Sequence, residues 1–598
     1  MTLLARRTPS HSDPSLRAST ATKRRPSLAW VVAVASVAMT TALLLTLGLT
    51  RFSPVFFGDE IGYLANAIAI AGGPNIVINA DSYYPGWSLV LVPLWWIFRD
   101  PLALYRGAVI LSAVSSIATI PVLAALGRRL GVRAPQSVIA ACVVVALPAH
   151  ALMAGFALAE SFLGLVVAVA AWLAVKAVQH GGARWYAATG AASGFAFVVH
   201  GRVAGLVVAT LVWGILLLLR RDRLAGSALI AAALGVAGAG YALYRHLEIV
   251  VYRSTGREAD GIAKLFGSQP SAVALGESGQ VWYAVVATAG LVIPGGLFVA
   301  LAVARELRAR TPGWATWLAV GMLGIAAVSI TYVSGSVSQR DRLDIFVYGR
   351  YLEPATDLLA FCGLILVVRI VPRSLRSSSR LTRRSTRIAL LSIGGFAAIA
   401  IGYGLVARGV VPTANETTSG WNPMNVLGIV QYDWQRGGDD QALPLVQAAL
   451  VGGGVLVALL ALGRILRAPV WMLAGALVFA LTSSVVAEAR TVAPAYSGYA
   501  AAFTLTRAVE RYPDASVSFV MAHDPLAPGR STVISQNAYE YFLAPRVVPA
   551  VAGSTELPAT DLAIARKDWP AGAEAGWRRI TWDPKYDNAL WSRPGFTG

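Results

Sequence analysis

Two carboxylates stand side by side, Asp59 and Glu60, in FFGDEIGYLANA (56–67), just after an apolar run from Trp30 to Thr50. A carboxylate can take a proton from a hydroxyl, and charges near lipid are costly and tend to be kept for function. The same pair also fits a solvated loop. Adjacent residues on a helix face different ways, so one acid can line a cavity while the other meets an amide or a cation. Tyr63, four residues after Asp59, shares its face.

Three further groups carry charge at apolar boundaries. Glu160, in FALAESFLG, either joins Asp59 at one level or caps a helix N-terminus, where the dipole favours an acid. In VYGRYLEPATD (347–357), the spacing predicts Arg350, Glu353 and Asp357 on one helix face. That face either lines a cavity or holds an Arg–Glu pair that anchors the helix. His200 and Arg202, in HGR, form a cationic spot; a lone histidine is more often a hydrogen-bonding group than a metal ligand. Acids and guanidinium groups at one level suit a lipid-borne phosphate, gripped by arginine forks, and a hydroxyl acceptor deprotonated by a carboxylate.

The elements that must position these groups are membrane spans. The 598 residues are 56% hydrophobic and 14% charged, with a mean hydropathy of +0.60. Soluble domains carry roughly 25% charged residues, so the chain is a polytopic membrane protein. Its net charge of +19 lies in short clusters between apolar runs, such as Lys23-Arg24-Arg25, Arg128-Arg129, Arg220-Arg221 and Arg373 to Arg387. That is the positive-inside pattern, and it leaves no need for a nucleic-acid partner. Cys142 and Cys362 sit inside apolar runs and read as small buried hydrophobes.

Runs of about 20 apolar residues predict about thirteen spans: 30–50, 104–126, 136–156, 160–178, 185–199, 203–219, 224–244, 281–303, 314–334, 351–369, 388–408, 441–462 and 469–488. The run 84–98 reads as a re-entrant or interfacial helix, because a crossing there would put every later basic cluster outside. Residues 1–27, rich in Arg, Ser, Thr and Pro, read as a disordered cytoplasmic tail. The membrane domain covers 28–488, with outer loops 51–103, 245–280 and 409–440. Residues 489–598 read as a small extracytoplasmic α/β domain: strand-like 516–524, 546–551 and 561–569, with a helix at 536–544. It has no glycine-rich phosphate fingerprint, so no nucleotide cofactor is expected. Asn415-Glu416-Thr417 matches a glycosylation sequon.

In order and spacing, GDEIGYLANA, YYPGWSLVLVPLWW, LPAHALMAGFALAES, GFAFVVHGR and GRYLEP together resemble the GT-C superfamily of membrane glycosyltransferases. That group includes protein mannosyltransferases, the lipid A aminoarabinose transferase, oligosaccharyltransferase catalytic subunits and mycobacterial arabinofuranosyltransferases. The resemblance covers most of 30–370. It implies a hexosyl- or pentosyltransferase that moves a sugar from a polyprenyl-phosphate carrier to an envelope glycan, lipid or protein acceptor on the outer face. By the same analogy Asp59 is the catalytic base, with Glu60 beside it, and Glu160 is a second acidic position. Arg350, Tyr351 and Arg202 take the carrier phosphate, and Tyr63, Tyr84, His200 and Glu353 take sugar or acceptor. PGW stands where a PPL-type motif is more usual. Some members bind a divalent cation with acids of these two loops, and others need none. The Arg-over-Lys bias fits the plasma membrane of a GC-rich bacterium. A transporter or flippase, and a non-catalytic assembly scaffold, are the alternative classes; polar groups gathered at one face, with no visible internal repeat, favour an enzyme.

Overall fold

Apolar residues all around a helix, with no stripe, suit a helix surrounded by lipid or by other helices, and the structure is built of such helices. The computed structural model describes the chain apart from residues 1–26, 55–56, 75, 77, 79–81, 253–266, 340–341, 371–378, 409, 412–422, 434–442, 467, 495, 497–503, 522–529, 554, 584–587 and 598. The tail 1–26 and the sequon at Asn415 therefore lie outside the described residues.

Among those residues, nine helices are long and apolar enough to cross a membrane, or eleven if two bent pairs each count as one span. Two more of the thirteen predicted positions are also helical. Ala183–Val199 has 17 residues, and Glu353–Ile370 carries Glu353, Asp357 and Arg369. Nearly all of Glu353–Ile370 is buried among other helices, so it presents little surface to lipid.

The predicted straight span 281–303 is a corner instead. Pro270–Ala287 and Val292–Arg308 meet at 104°. Ala289 and Gly290 both take positive φ there, a conformation that breaks a right-handed helix, and Pro294 lacks an amide to continue the ladder. Ala134–Val145 and Pro148–Gly155 bend by 70°, here because Leu147, ahead of Pro148, is extended.

The loop after the first span folds as two short helices, Phe57–Ile70 and Gly86–Phe98. Thirteen residues rise about 20 Å, short of the ~30 Å hydrocarbon core, so Gly86–Phe98 does not span. It packs against Phe57–Ile70 and the helix Pro101–Arg129. Trp87 is buried while Trp96 and Phe98 are exposed.

The C-terminal sheet comprises β1 (Val517–Met521), β2 (Ala550–Ala552), β3 (Leu562–Arg566), β4 (Arg578–Trp582) and β5 (Asn588–Ser592), in the order β2-β1-β3-β5-β4. β1 runs parallel to β2 and β3; β5 is antiparallel to β3 and β4. Strand alternation puts Val517, Phe519, Leu562 and Ile564 in one core, and Val520, Ala563 and Ala565 with Trp569, Trp577 and Trp591 in another. β2 is shorter than the predicted 546–551. The Val548 amide donates to Glu540 instead of a strand, and Pro549 has no amide to give. The helix Arg530–Phe542 covers β1 and also packs on Phe57–Ile70. Its Tyr541 hydroxyl donates to the Pro101 carbonyl at 2.7 Å, so the sheet unit is also tied to the start of Pro101–Arg129.

Candidate active site

The first turn of Phe57–Ile70 holds both acids, where the helix dipole favours negative charge. They point apart. The Asp59 side chain is about one-third exposed, whereas Glu60 is fully buried. Glu60 accepts from the Ala157 amide at 2.9 Å, and the Trp87 indole donates to the Ala157 carbonyl at 3.1 Å. Glu60 and Trp87 thus hold the amide and the carbonyl of one residue in the loop ahead of Glu160 and fix that loop beside Asp59. Glu60→Gln, which keeps a carboxamide acceptor, is expected to retain turnover within about tenfold. Glu60→Ala leaves a buried amide unpaired, at a cost of about 1–3 kcal/mol, read as a lower melting temperature in detergent. Loss of turnover in the Gln variant at an unchanged melting temperature would make Glu60 a chemical participant.

Asp59 faces the open side of the site. Its Oδ1 accepts from the Tyr83 hydroxyl at 2.6 Å and its Oδ2 from Arg350 Nη1 at 2.7 Å. Arg350 Nε donates to Glu160 Oε1 at 2.8 Å, and Arg202 Nη1 reaches the same oxygen at 3.4 Å. The result is one alternating chain of charge, Asp59–Arg350–Glu160–Arg202, assembled from four separate segments. Burial opposes the charge on Arg350, but the carboxylates of Glu160 and Asp59 outweigh it and hold its pKa well above the ordinary value. Glu160 sits at the start of Glu160–His180, and its Oε1 is taken by two arginines rather than by the helix's own amides.

Arg350 does not share a helix face with Glu353 and Asp357, contrary to the spacing argument. The helix begins at Glu353, and Arg350 lies in the turn before it, where its guanidinium swings away to Asp59 and Glu160. Glu353 accepts from the Tyr283 hydroxyl at 3.4 Å, and Asp357 pairs with His150 Nδ1 at 2.7 Å. His150, Glu160, Ser161, Arg202, Glu353 and Asp357 line a small polar recess behind the charge chain. His150 Nε2, Ser161 Oγ, Glu160 Oε2 and Arg202 Nε and Nη2 have no hydrogen-bond partner among the described residues.

Aromatic rings wall the other side. Tyr63 is buried against Tyr83, ring centroids 5.1 Å apart. Tyr84 lies nearly parallel to Tyr244 at 4.5 Å and to His200 at 6.4 Å, and His200 meets Tyr351 edge-on at 6.4 Å. Arg202 lies over the Tyr351 ring at 5.7 Å. The candidate site residues named from the sequence fall in this one region, but the sequence points to Tyr84 of the Tyr83-Tyr84 pair, and the structure puts Tyr83 on Asp59. His150 was also missed; the one signal was a polar side chain in the apolar stretch ahead of Glu160.

The PGW sequence has a steric reason. A Cβ on Gly86 would come within 2.5 Å of the Val199 backbone, and one on Gly201 within 2.5 Å of the Tyr84 ring. Gly62 likewise leaves room for Tyr83, whose ring lies 2.3 Å from the position of a Cβ. Asn66 holds that loop by donating to the Tyr83 carbonyl at 3.0 Å. Tyr83→Phe removes a hydrogen bond to a charged group, worth about 1.5–3 kcal/mol. Turnover should fall roughly 10- to 150-fold with KM for the donor little changed; a wild-type rate would make Tyr83 mere packing.

No family model and no curated protein matches the chain. Among solved structures it is similar to ArnT from Cupriavidus metallidurans bound to undecaprenyl phosphate, at 19% identity and TM-score 0.49 over 95% of this chain and 98% of that one. It is also similar to the arabinosyltransferase EmbB from Mycobacterium smegmatis, at 15% identity and TM-score 0.42 over 79% and 42% of the two chains. A third is an oligosaccharyltransferase from Archaeoglobus fulgidus in complex with zinc and sulfate, at 15% identity and TM-score 0.34 over 67% and 54%.

Proposed function

We propose that the chain is a GT-C-type glycosyltransferase that moves a sugar from a polyprenyl-phosphate carrier to a hydroxyl acceptor at the outer face of the membrane. The observation that carries this reading is the contact of a partly exposed carboxylate, Asp59, with a buried guanidinium, Arg350, at the mouth of a bundle of apolar helices. A base and an anion holder side by side are what displacement at an anomeric carbon requires.

In the reaction, Asp59 takes the proton of the acceptor hydroxyl as its oxygen bonds to the anomeric carbon. The bond from that carbon to the phosphate oxygen breaks, and its electron pair leaves on polyprenyl phosphate. Arg350 and Arg202 hold the charge that develops on the phosphate. At rest Arg350 occupies one oxygen of Asp59; an arriving carrier phosphate competes for the guanidinium and leaves that oxygen free for the acceptor. Tyr83 keeps the other oxygen in place, and Tyr63, Tyr84, His200 and Tyr351 offer ring surfaces for sugar or isoprenoid.

A divalent cation fits these residues poorly, because Arg350 sits between the two carboxylates that would hold it. No group of three His, Cys, Asp or Glu side chains spaced to hold a metal occurs among the described residues. The mechanism therefore runs through the chain's own side chains. The test is release of carrier phosphate from labelled polyprenyl-phosphate sugars by purified protein in vesicles, with hydroxyl acceptors supplied. Release with sugar transfer supports the reading; binding without release, across a panel of sugars and acceptors, overturns it in favour of a transporter or scaffold.

A further inference from the structure

At the far end of Glu160–His180 lies a second concentration of charge, unrelated to the acids. The helix has 21 residues, a rise of about 31 Å, close to one hydrocarbon thickness. Its last turn and the turn at Gly181-Gly182 form, with Arg129 and the start of Ala183–Val199, a groove of about 880 Å³ lined by Arg129, Lys176, His180, Arg184 and Trp185. This is within the size range of small-ligand sites.

The cations here lack counter-charges. Arg129 Nη1 donates to the Gln179 carboxamide oxygen at 3.0 Å and lies 3.0 Å from His180 Nε2, neither of them a carboxylate. Lys176 Nζ lies 3.4 Å from the centre of the Trp185 ring and 4.6 Å from that of Trp172. The Arg184 guanidinium lies 5.0 Å from Trp185. None of the three pairs with a carboxylate among the described residues. The acids on neighbouring elements are engaged elsewhere. Glu306 accepts from the amides of Gly313, Ala315 and Thr316, and Asp222 caps Ala225. No side chain among the described residues caps Ala183–Val199 at Gly182.

We propose that this groove binds the phosphate of an anionic glycerophospholipid in the leaflet opposite Asp59. Three cations without carboxylate partners among the described residues supply the charge, and the open N-terminus of a 17-residue helix adds amide donors. The tryptophans mark the depth of the headgroups, where such rings concentrate. A lipid is the occupant because the groove sits at the end of a helix long and apolar enough to cross a membrane, beside the ring of Trp185. The site is independent of the transferase reading.

The experiment is native mass spectrometry of the purified full chain from vesicles of phosphatidylcholine doped with phosphatidylglycerol. The wild type is expected to retain phosphatidylglycerol in preference to phosphatidylcholine. Lys176→Gln with Arg184→Gln, which removes two of the three cations, should weaken that retention roughly twentyfold or more. Equal retention of the two lipids by wild type overturns the proposal, without reference to any variant. So does unchanged retention in the double variant. Inorganic phosphate and glycerol phosphate are added as competitors. Displacement of the lipid at equal concentration would assign the groove to a free anion and overturn the lipid assignment.

Discussion

Asp59→Asn is expected to lower release of carrier phosphate by about 10²- to 10⁴-fold, the span of a lost general base, while leaving the protein folded and the donor bound. Asparagine keeps the shape of the side chain; its one oxygen still accepts from Arg350, and its amide NH2 can donate to the Tyr83 hydroxyl oxygen. Because Asp59 is about one-third exposed, the lost ion pair is partly screened by solvent, so its structural cost is small. The phosphate holders Arg350 and Arg202 are untouched, so donor affinity should stay within a few-fold. The wild-type rate should fall on the acid side as the base is protonated, and the residual rate of the variant should be flat across the same range. A variant that turns over at the wild-type rate removes Asp59 as base. One that fails to bind donor would instead make Asp59 part of the binding site.

The large-scale architecture was legible because lipid imposes one rule on every span: length and apolarity. Single breaks were less legible. The corner at Ala289-Gly290 depends on two positive-φ residues inside an otherwise continuous apolar run. Nothing in hydropathy separates that from a straight helix. The acids could be picked out because charge is rare beside apolar runs. Their partners could not, because they come from far along the chain: Arg350 lies 291 residues from Asp59 and 190 from Glu160. Helical periodicity relates Arg350 to Glu353 only if the helix already includes both, and the helix starts one turn too late. Tyr83 and Tyr84 differ by one position and face opposite walls, a choice set by Gly62 and Gly201 lacking side chains.

Replacing Arg350 by methionine is expected to do two kinds of damage that a second substitution separates. Arg350 is the strongest partner of Glu160, whose side chain is 4% exposed; without it Glu160 keeps only Arg202 at 3.4 Å. Breaking a buried pair while leaving one charge behind costs about 3–5 kcal/mol, so the variant should melt well below wild type. It should also lose about 10²- to 10³-fold in turnover, the scale of removing one donor that stabilises a developing anion. Arg350→Met with Glu160→Gln removes the orphaned charge. Stability should then return only in part, because the Arg350–Glu160 pair has become neutral and similar in volume while Arg202, 1% exposed, loses its carboxylate. Turnover should not return, because no forked donor faces the leaving phosphate. If turnover recovers along with stability, Arg350 only holds the fold together, and the phosphate must be held by Arg202. Arg350→Lys sharpens the distinction. One ammonium has no fork to bridge Asp59 and Glu160 together, so it should rescue stability in part and turnover hardly at all.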